Sequence, residues 1–311
     1  MSSKFEKPKY IGIGISIGFV LGAIVTMVMT KVFGAKVEGI NIGGIDYGLP
    51  TVAITSQPLP TKIFTGITPI ATKFSEKDGM VLVYVPKGEF FMGSDSGNPD
   101  EHPAHLVYLD AFWIDQTEIT NRMYALCVAS GVCTPPSKSS STTRENYYNN
   151  FAYENYPVTY ISWVQASTYC DWAARRLPTE AEWEKAARGT DGRRYPWGND
   201  DPQENLLNFD RLIGDTTDVY KYTLGTSPYG VYDMAGNVYE CVSDYYDANY
   251  YSNKVYNNPT GPESTTLNDK VVRGGSWLDR DNYTRSSTRS RLWFNNVDDP
   301  AIGFRCVLPE K

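Results

Sequence analysis

Twenty-one consecutive residues, Tyr10 to Thr30, carry no charge. As a helix that run would rise about 30 Å, the depth of a bilayer's hydrocarbon core. A core helix of a soluble domain keeps polar residues on one face. Here only Ser16 and Thr26 interrupt the interior of the run. The chain is therefore expected to begin with a cytoplasmic tail over 1–9 and a transmembrane signal anchor over 10–33. Lys4, Lys7 and Lys9 precede the span, while Lys31 and Lys36 follow it. That excess favours a cytoplasmic N-terminus and an exported C-terminal domain. Phe33-Gly34-Ala35 suits a signal peptidase poorly, so an uncleaved anchor is expected over a removed signal. Gly14, Gly18 and Gly22 share one helix face and let two helices approach closely. An anchor-mediated dimer is one reading; the general abundance of glycine in membrane helices is the other. The expected location is a single-pass membrane protein with an extracytoplasmic domain.

Composition narrows the partners. A net charge of −7 argues against nucleic acid, which demands basic patches. Five cysteines are too few for a disulfide scaffold, yet an oxidising space would pair some of them. Cys127 and Cys133 flank Gly131, where the chain can fold back and join them. That small loop is worth about 2 kcal/mol in the chain-entropy model. A bridge from Cys170 to Cys306 would close most of the domain and is worth about 5 kcal/mol in the same model. A reduced, buried thiol is the plain alternative for each. Cys241 is left over.

Residues 34–78 hold Pro50, Pro58, Pro60 and Pro69 among many threonines, the composition of an extended linker. From Met80 the sequence MVLVYVPKGEFFMGS alternates as a strand, then turns at Pro86-Lys87-Gly88 into a second. One domain over 79–311 is expected. Thr120 caps a helix that Gly131 stops, and Ser162 caps another. Thr179 with Glu182 forms a capping box for EAEWEKAAR, ended by Gly189. Beyond it, Gly, Pro, Asn and Asp punctuate the chain every few residues. The fold class expected is α+β with much coil.

The segments RLPTEAEWE (176–184), DMAGNVYE (233–240), RGGSW (273–277) and IGFRC (302–306) stand in this order. With FFMGS (90–94) and YPWGND (195–200), they make the stretch from 80 to 308 resemble the sulfatase-modifying-factor, or formylglycine-generating-enzyme-like, family. The resemblance implies a coil-rich variant of the C-type-lectin-like architecture and a disulfide between Cys170 and Cys306. It also implies structural Ca²⁺ held by Asp233 and Glu240 side chains with Gly236 and Val238 carbonyls. A second site would use Asn208, Phe209 and Asp215. Carboxylate and carbonyl oxygens are what a hard cation takes, although Asp233 and Glu240 could equally satisfy loop amides.

Formylglycine-generating members oxidise a substrate cysteine through two cysteines that bind copper just after the GGS motif. Here Asp279 and a residue near Thr284 stand in those places, and no cysteine occurs between Cys241 and Cys306. Carboxylate and hydroxyl cannot replace a thiolate pair, so no copper and no catalytic residue are expected. Iron-dependent relatives use three histidines; this chain has two, His102 and His105, expected in a surface turn before a strand. What remains is a face offering Trp277, Asp279, Arg280, Asp281, Tyr283, Arg285, Arg289, Trp293 and Phe294. Such a face suits sugars, peptides or anionic small molecules. Arg273, Arg289 and Arg305 could instead pair with buried carboxylates. Core positions are expected for Arg305 and Trp277, and the binding face for Asp279 to Tyr283. The function expected is a non-catalytic module for a glycan, peptide or protein ligand. An oxidoreductase with an unrecognised metal site is the alternative.

Overall fold

The computed structural model describes residues 70–293 and 298–310, all within one compact unit spanning 67–311. The expected tail, the anchor, most of the linker and Phe294 lie outside the described residues. Among the described residues no helix is long and apolar enough to cross a membrane.

Three sheets organise the domain. The first contains β1 (Thr72–Phe74), β2 (Val81–Val85), β5 (Phe112–Asp115) and β10 (Val307–Pro309), in the order β1-β2-β5-β10 and antiparallel throughout. The second is a pair, β3 (Gly88–Met92) with β4 (His105–Leu109). The third runs β8 (Ser290–Leu292), β7 (Lys270–Arg273), β6 (Tyr239–Tyr245), β9 (Ile302–Phe304), with only β6 and β9 parallel. The two strands either side of Pro86-Lys87 do not pair with each other. Their alternation is sound, with Phe90 and Met92 buried and Glu89 and Phe91 exposed, but the turn sends them into different sheets. The sheet also begins earlier than the expected boundary at 79. Thr72 to Phe74 pair with Val83 to Val81, and Asp78 is buried against Arg175. The threonine-rich composition hid a strand whose partner lies just beyond it.

Among the described residues the three α-helices start where their capping residues dictate. These are α1 (Asn121–Ala129), α2 (Trp163–Trp172) and α3 (Glu180–Arg188). Thr120 accepts from Met123 N, and Ser162 makes a capping box with Gln165. Thr179 makes its box with Glu182, and Gly189 ends α3 at φ 69°. Helices α1 and α2 pack Tyr124 and Tyr169 against Phe304 of β9. The Cys170–Cys306 disulfide crosses this core, and Cys127–Cys133 closes the end of α1. Helix α3 lies in a second core with Val83, Phe90, Val107 and Val271 around Trp183 and Ala187.

Every residue of α3 is buried, its charged ones included. Charges inside a protein must be paired. Glu180 and Glu184 bind Arg273 at 2.7 Å each, Arg289 adds a second cation to Glu180, and Arg188 takes Glu184 at 2.9 Å. Lys185 donates to the carbonyls of Pro86 and Gly88, and burial lowers its pKa to about 8. The helix is thereby bolted to β7 of the third sheet, from whose end the RGGSW loop departs.

Candidate ligand cleft and metal centre

Beyond β7 the chain turns through Gly274 and Gly275, both at positive φ, and Gly275 meets the Tyr283 carbonyl so closely that a side chain would collide. The residues expected on one ligand face separate into two groups. Trp277 is 3% exposed, with its backbone N–H bound to Asn237. Arg289 is buried, donates twice to Glu180 and to the carbonyls of Asp100 and Asp247, and lies over Tyr251. Arg285 clamps Glu101 at 2.7 and 2.6 Å. These three serve the interior. Asp279 accepts from the backbone and hydroxyl of Ser276, at 3.1 and 2.5 Å. Arg280, Asp281 and Tyr283 are exposed on a single 3-10 turn, and Trp293 is 75% exposed.

A cleft of about 620 Å³ opens against the third sheet beside this loop, lined by Tyr239, Ser290, Trp293, Asp299 and Arg291 among others. Asp279 borders it. Burial first, then the Asp279 carboxylate, pushes up the pKa of the Tyr239 hydroxyl. Burial also raises Asp299, partly offset by the Ala301 backbone N–H, with the Asp279 charge adding to the rise. The cleft is thus polar and carries a carboxylate, Asp299, in its lining. Thr284 is buried and donates to the Asp281 carbonyl. Cys241 is buried on β6, where burial pushes its thiol pKa up, away from the reactive range. The histidines are structural. His102 Nε2 donates to Gly97 O, and His105 packs edge-on to Tyr251.

The residues expected to hold calcium surround a buried polar node. Asp233 and Asn237 adopt positive φ around Gly236, whose own Cβ would strike the Asn208 carbonyl. Both carboxylate oxygens of Asp233 are buried without a hydrogen-bond partner, as is Oδ1 of Asn208. Glu240, by contrast, is fully engaged by Arg305 and the Trp183 indole. Asp215 accepts from Ser141, Thr143 and Thr216 and pairs with Arg144. Burial acts to raise the Asp215 pKa, but those donors hold it below the usual range. Each expected set therefore contains one side chain free to ligate, Asp233 in the first and Asn208 in the second. Among the described residues no three His, Cys, Asp or Glu side chains form a metal-holding group, so carbonyl and amide oxygens would have to complete either shell.

Glu118 is the residue sequence reasoning missed. It is fully buried; Oε1 accepts from Asn237 while Oε2 has no partner. Burial, then the charges of Asp233 and Glu240, push its pKa well up. Asp233 is raised by burial against the pull of Arg305, with Glu240 adding to the rise. Asn237 joins Glu118 to Asn208 through its side-chain amide. The sequence carried no clear signal for it, because Glu118 follows Asp115, Gln116 and Thr117 in a polar stretch that reads as a surface turn before the Thr120 cap.

A coil-rich α and β domain, with a loop cleft flanking a two-disulfide core, defines the class. The sulfatase-modifying factor enzyme 1-like domain family matches residues 69–309, and the chain belongs to that family. A serine/threonine-protein kinase pkn1 of Chlamydia caviae is 34% identical over 250 residues, covering 73% of this chain and 37% of the kinase. The chain thus matches little more than a third of that relative's length. A formylglycine-generating enzyme of Streptomyces coelicolor is 31% identical over 282 residues, covering 72% of this chain and 88% of that enzyme. The structure of PvdO from Pseudomonas aeruginosa shares the fold, with a TM-score of 0.66 at 24% identity, covering 79% of this chain and all of PvdO.

Proposed function

We propose that this family member is a membrane-anchored, extracytoplasmic module that binds a ligand at the cleft beside β8 and leaves it chemically intact. One observation carries the reading. The chain's only unpaired cysteine is sealed inside β6, and the resemblance sets Asp279 and a residue near Thr284 where the thiols of a copper site would be. A carboxylate already held by Ser276 and a buried hydroxyl cannot supply soft ligands. The uncharged run at Tyr10 to Thr30 supports the anchor, and the two disulfides suit an oxidising compartment.

Calcium completes the proposal. Asp233 and the Gly236 and Val238 carbonyls would hold one ion, with Glu240 joining only by releasing Arg305 or Trp183; Asn208 and Phe209 would hold a second, with Asp215 joining only by releasing its present donors. The unpartnered oxygens of Asp233 and Asn208 support both sets, the first more strongly because its free group is a carboxylate. A bound cation would neutralise carboxylates that otherwise repel one another.

The test is direct. The full-length chain is supplied with copper, then iron, and incubated in air with a cysteine-bearing peptide. Mass spectrometry should recover the peptide unchanged. Metal-dependent oxidation of the thiol would overturn the reading in favour of an oxidoreductase with a different metal site. Protease added outside intact cells should digest the domain, and protection there would overturn the extracytoplasmic placement.

A further inference from the structure

The cleft against the third sheet does not end at Arg291. It continues into a second hollow of about 740 Å³ that shares Tyr246 and Arg291 with the first and is walled by the segment between β6 and β7. Asp269 lines this hollow. Its residue is only 4% exposed, yet its Oδ2 accepts no hydrogen bond. The nearest cation is the Arg291 guanidinium at 3.7 Å, too far for a hydrogen bond, on a side chain 57% exposed. The Thr265 hydroxyl beside it is also buried without a partner. A buried acceptor left unmade costs roughly 1–3 kcal/mol, more when charged.

The arginines of the region do not answer this need. Arg285 is spent on Glu101 and Arg289 on Glu180. That leaves Arg291 against three carboxylates, Asp247, Asp269 and Asp299, along the joined clefts. Tyr246 lies at the junction and Trp293 stands at the far rim. Buried carboxylate, free hydroxyl and aromatic faces together match one chemistry, a cation with hydrogen-bond donors.

Resting on the ligand-binding reading above, we propose that this groove recognises an ammonium or guanidinium group, seated on Asp269 and Thr265 and flanked by Tyr246. Arg291 then competes with the ligand for the carboxylate and swings away when it binds. An anionic ligand is disfavoured in this groove, because Arg285 and Arg289 already serve buried carboxylates.

The experiment uses the full-length chain and calorimetric titration with five probes: the N-acetyl amides of lysine and arginine, a lysine-bearing peptide, a neutral hexose and an acidic peptide of equal length. The two cationic amides and the lysine peptide are expected to bind, and the peptide's advantage over the free amide tells whether a polypeptide is the source. Asp269→Asn should weaken binding at least tenfold and Thr265→Val severalfold. Arg291→Ala should tighten it, since a rival cation is gone. Loss of cation binding in Arg291→Ala, or no change in Asp269→Asn, would overturn the proposal. Binding of the hexose or acidic peptide alone would overturn it while leaving the ligand-binding reading in place. Binding of no probe would overturn both. Should Asp269→Asn fail to fold, Thr265→Val and Arg291→Ala decide the matter.

Discussion

Two buried charge clusters in this domain are built differently. Around α3, Glu180 and Glu184 meet Arg188, Arg273 and Arg289, and all four carboxylate oxygens accept hydrogen bonds. Around Gly236, three carboxylates (Glu118, Asp233 and Glu240) face Arg305, which binds Glu240 alone. Three of the six oxygens there have no partner. If ionised, three carboxylates against one guanidinium leave a surplus of two negative charges, the charge of one divalent cation. The first cluster is complete in the protein alone. The second needs either protons or a metal. Burial with full pairing makes a structural bolt, and burial without it marks a place reserved for something else.

The sharpest way to break this contrast is to open the complete cluster. Arg273→Ala should cost about 3–5 kcal/mol in urea unfolding, since it removes one of the two cations from each glutamate and leaves Glu184 Oε2 buried without its donor. A loss under 1 kcal/mol would mean that the bolt is not one. Next in size, saturating calcium should stabilise the wild type by on the order of 2–3 kcal/mol at a hundredfold excess over Kd. Asp233→Ala should abolish that gain, and an equal gain in the variant would move the ion elsewhere.

An effect of similar size, spread over about three pH units, sharpens the boundary of the first cluster. Asp244 accepts from Glu180 N and Ser243, and burial, with Glu180 nearby, raises its pKa to about 7. Its folded pKa exceeds the ordinary 3.8, so the folded state holds the proton more tightly than the unfolded chain. Its contribution is full below about pH 4 and is lost as pH rises towards 7, on the order of 1 kcal/mol per pH unit within that window. Asp244→Asn should flatten that slope in urea titrations at pH 4, 5.5 and 7. An unaltered slope would assign the dependence to another group. The smallest expected effect is at the loop surface. Tyr283→Ala should change stability by less than about 0.5 kcal/mol, and a larger loss would place Tyr283 with the interior residues.

Local chemistry was legible in the sequence. Thr120, Ser162 and Thr179 each cap the helix expected of them, because a cap is a contact over three residues. Both expected disulfides are formed, and Arg305 and Trp277 lie in the core as expected. Long-range pairing was not legible. Nothing near Arg289 or Arg285 announces Glu180 or Glu101, which lie 109 and 184 residues away. Both arginines therefore read as ligand-facing when they are structural. The same distance hid Glu118, whose charge matters only beside Asp233 and Glu240, whereas β1 pairs with the nearby β2 and was hidden by its threonine-rich composition.

The incomplete cluster is where the account stands or falls. Isothermal titration of calcium into the full-length, chelator-treated chain addresses it most directly. The account predicts saturable binding with a matching rise in melting temperature. No heat of binding and an unmoved melting curve would contradict it, and would leave Glu118 and Asp233 as carboxyls held neutral by protons.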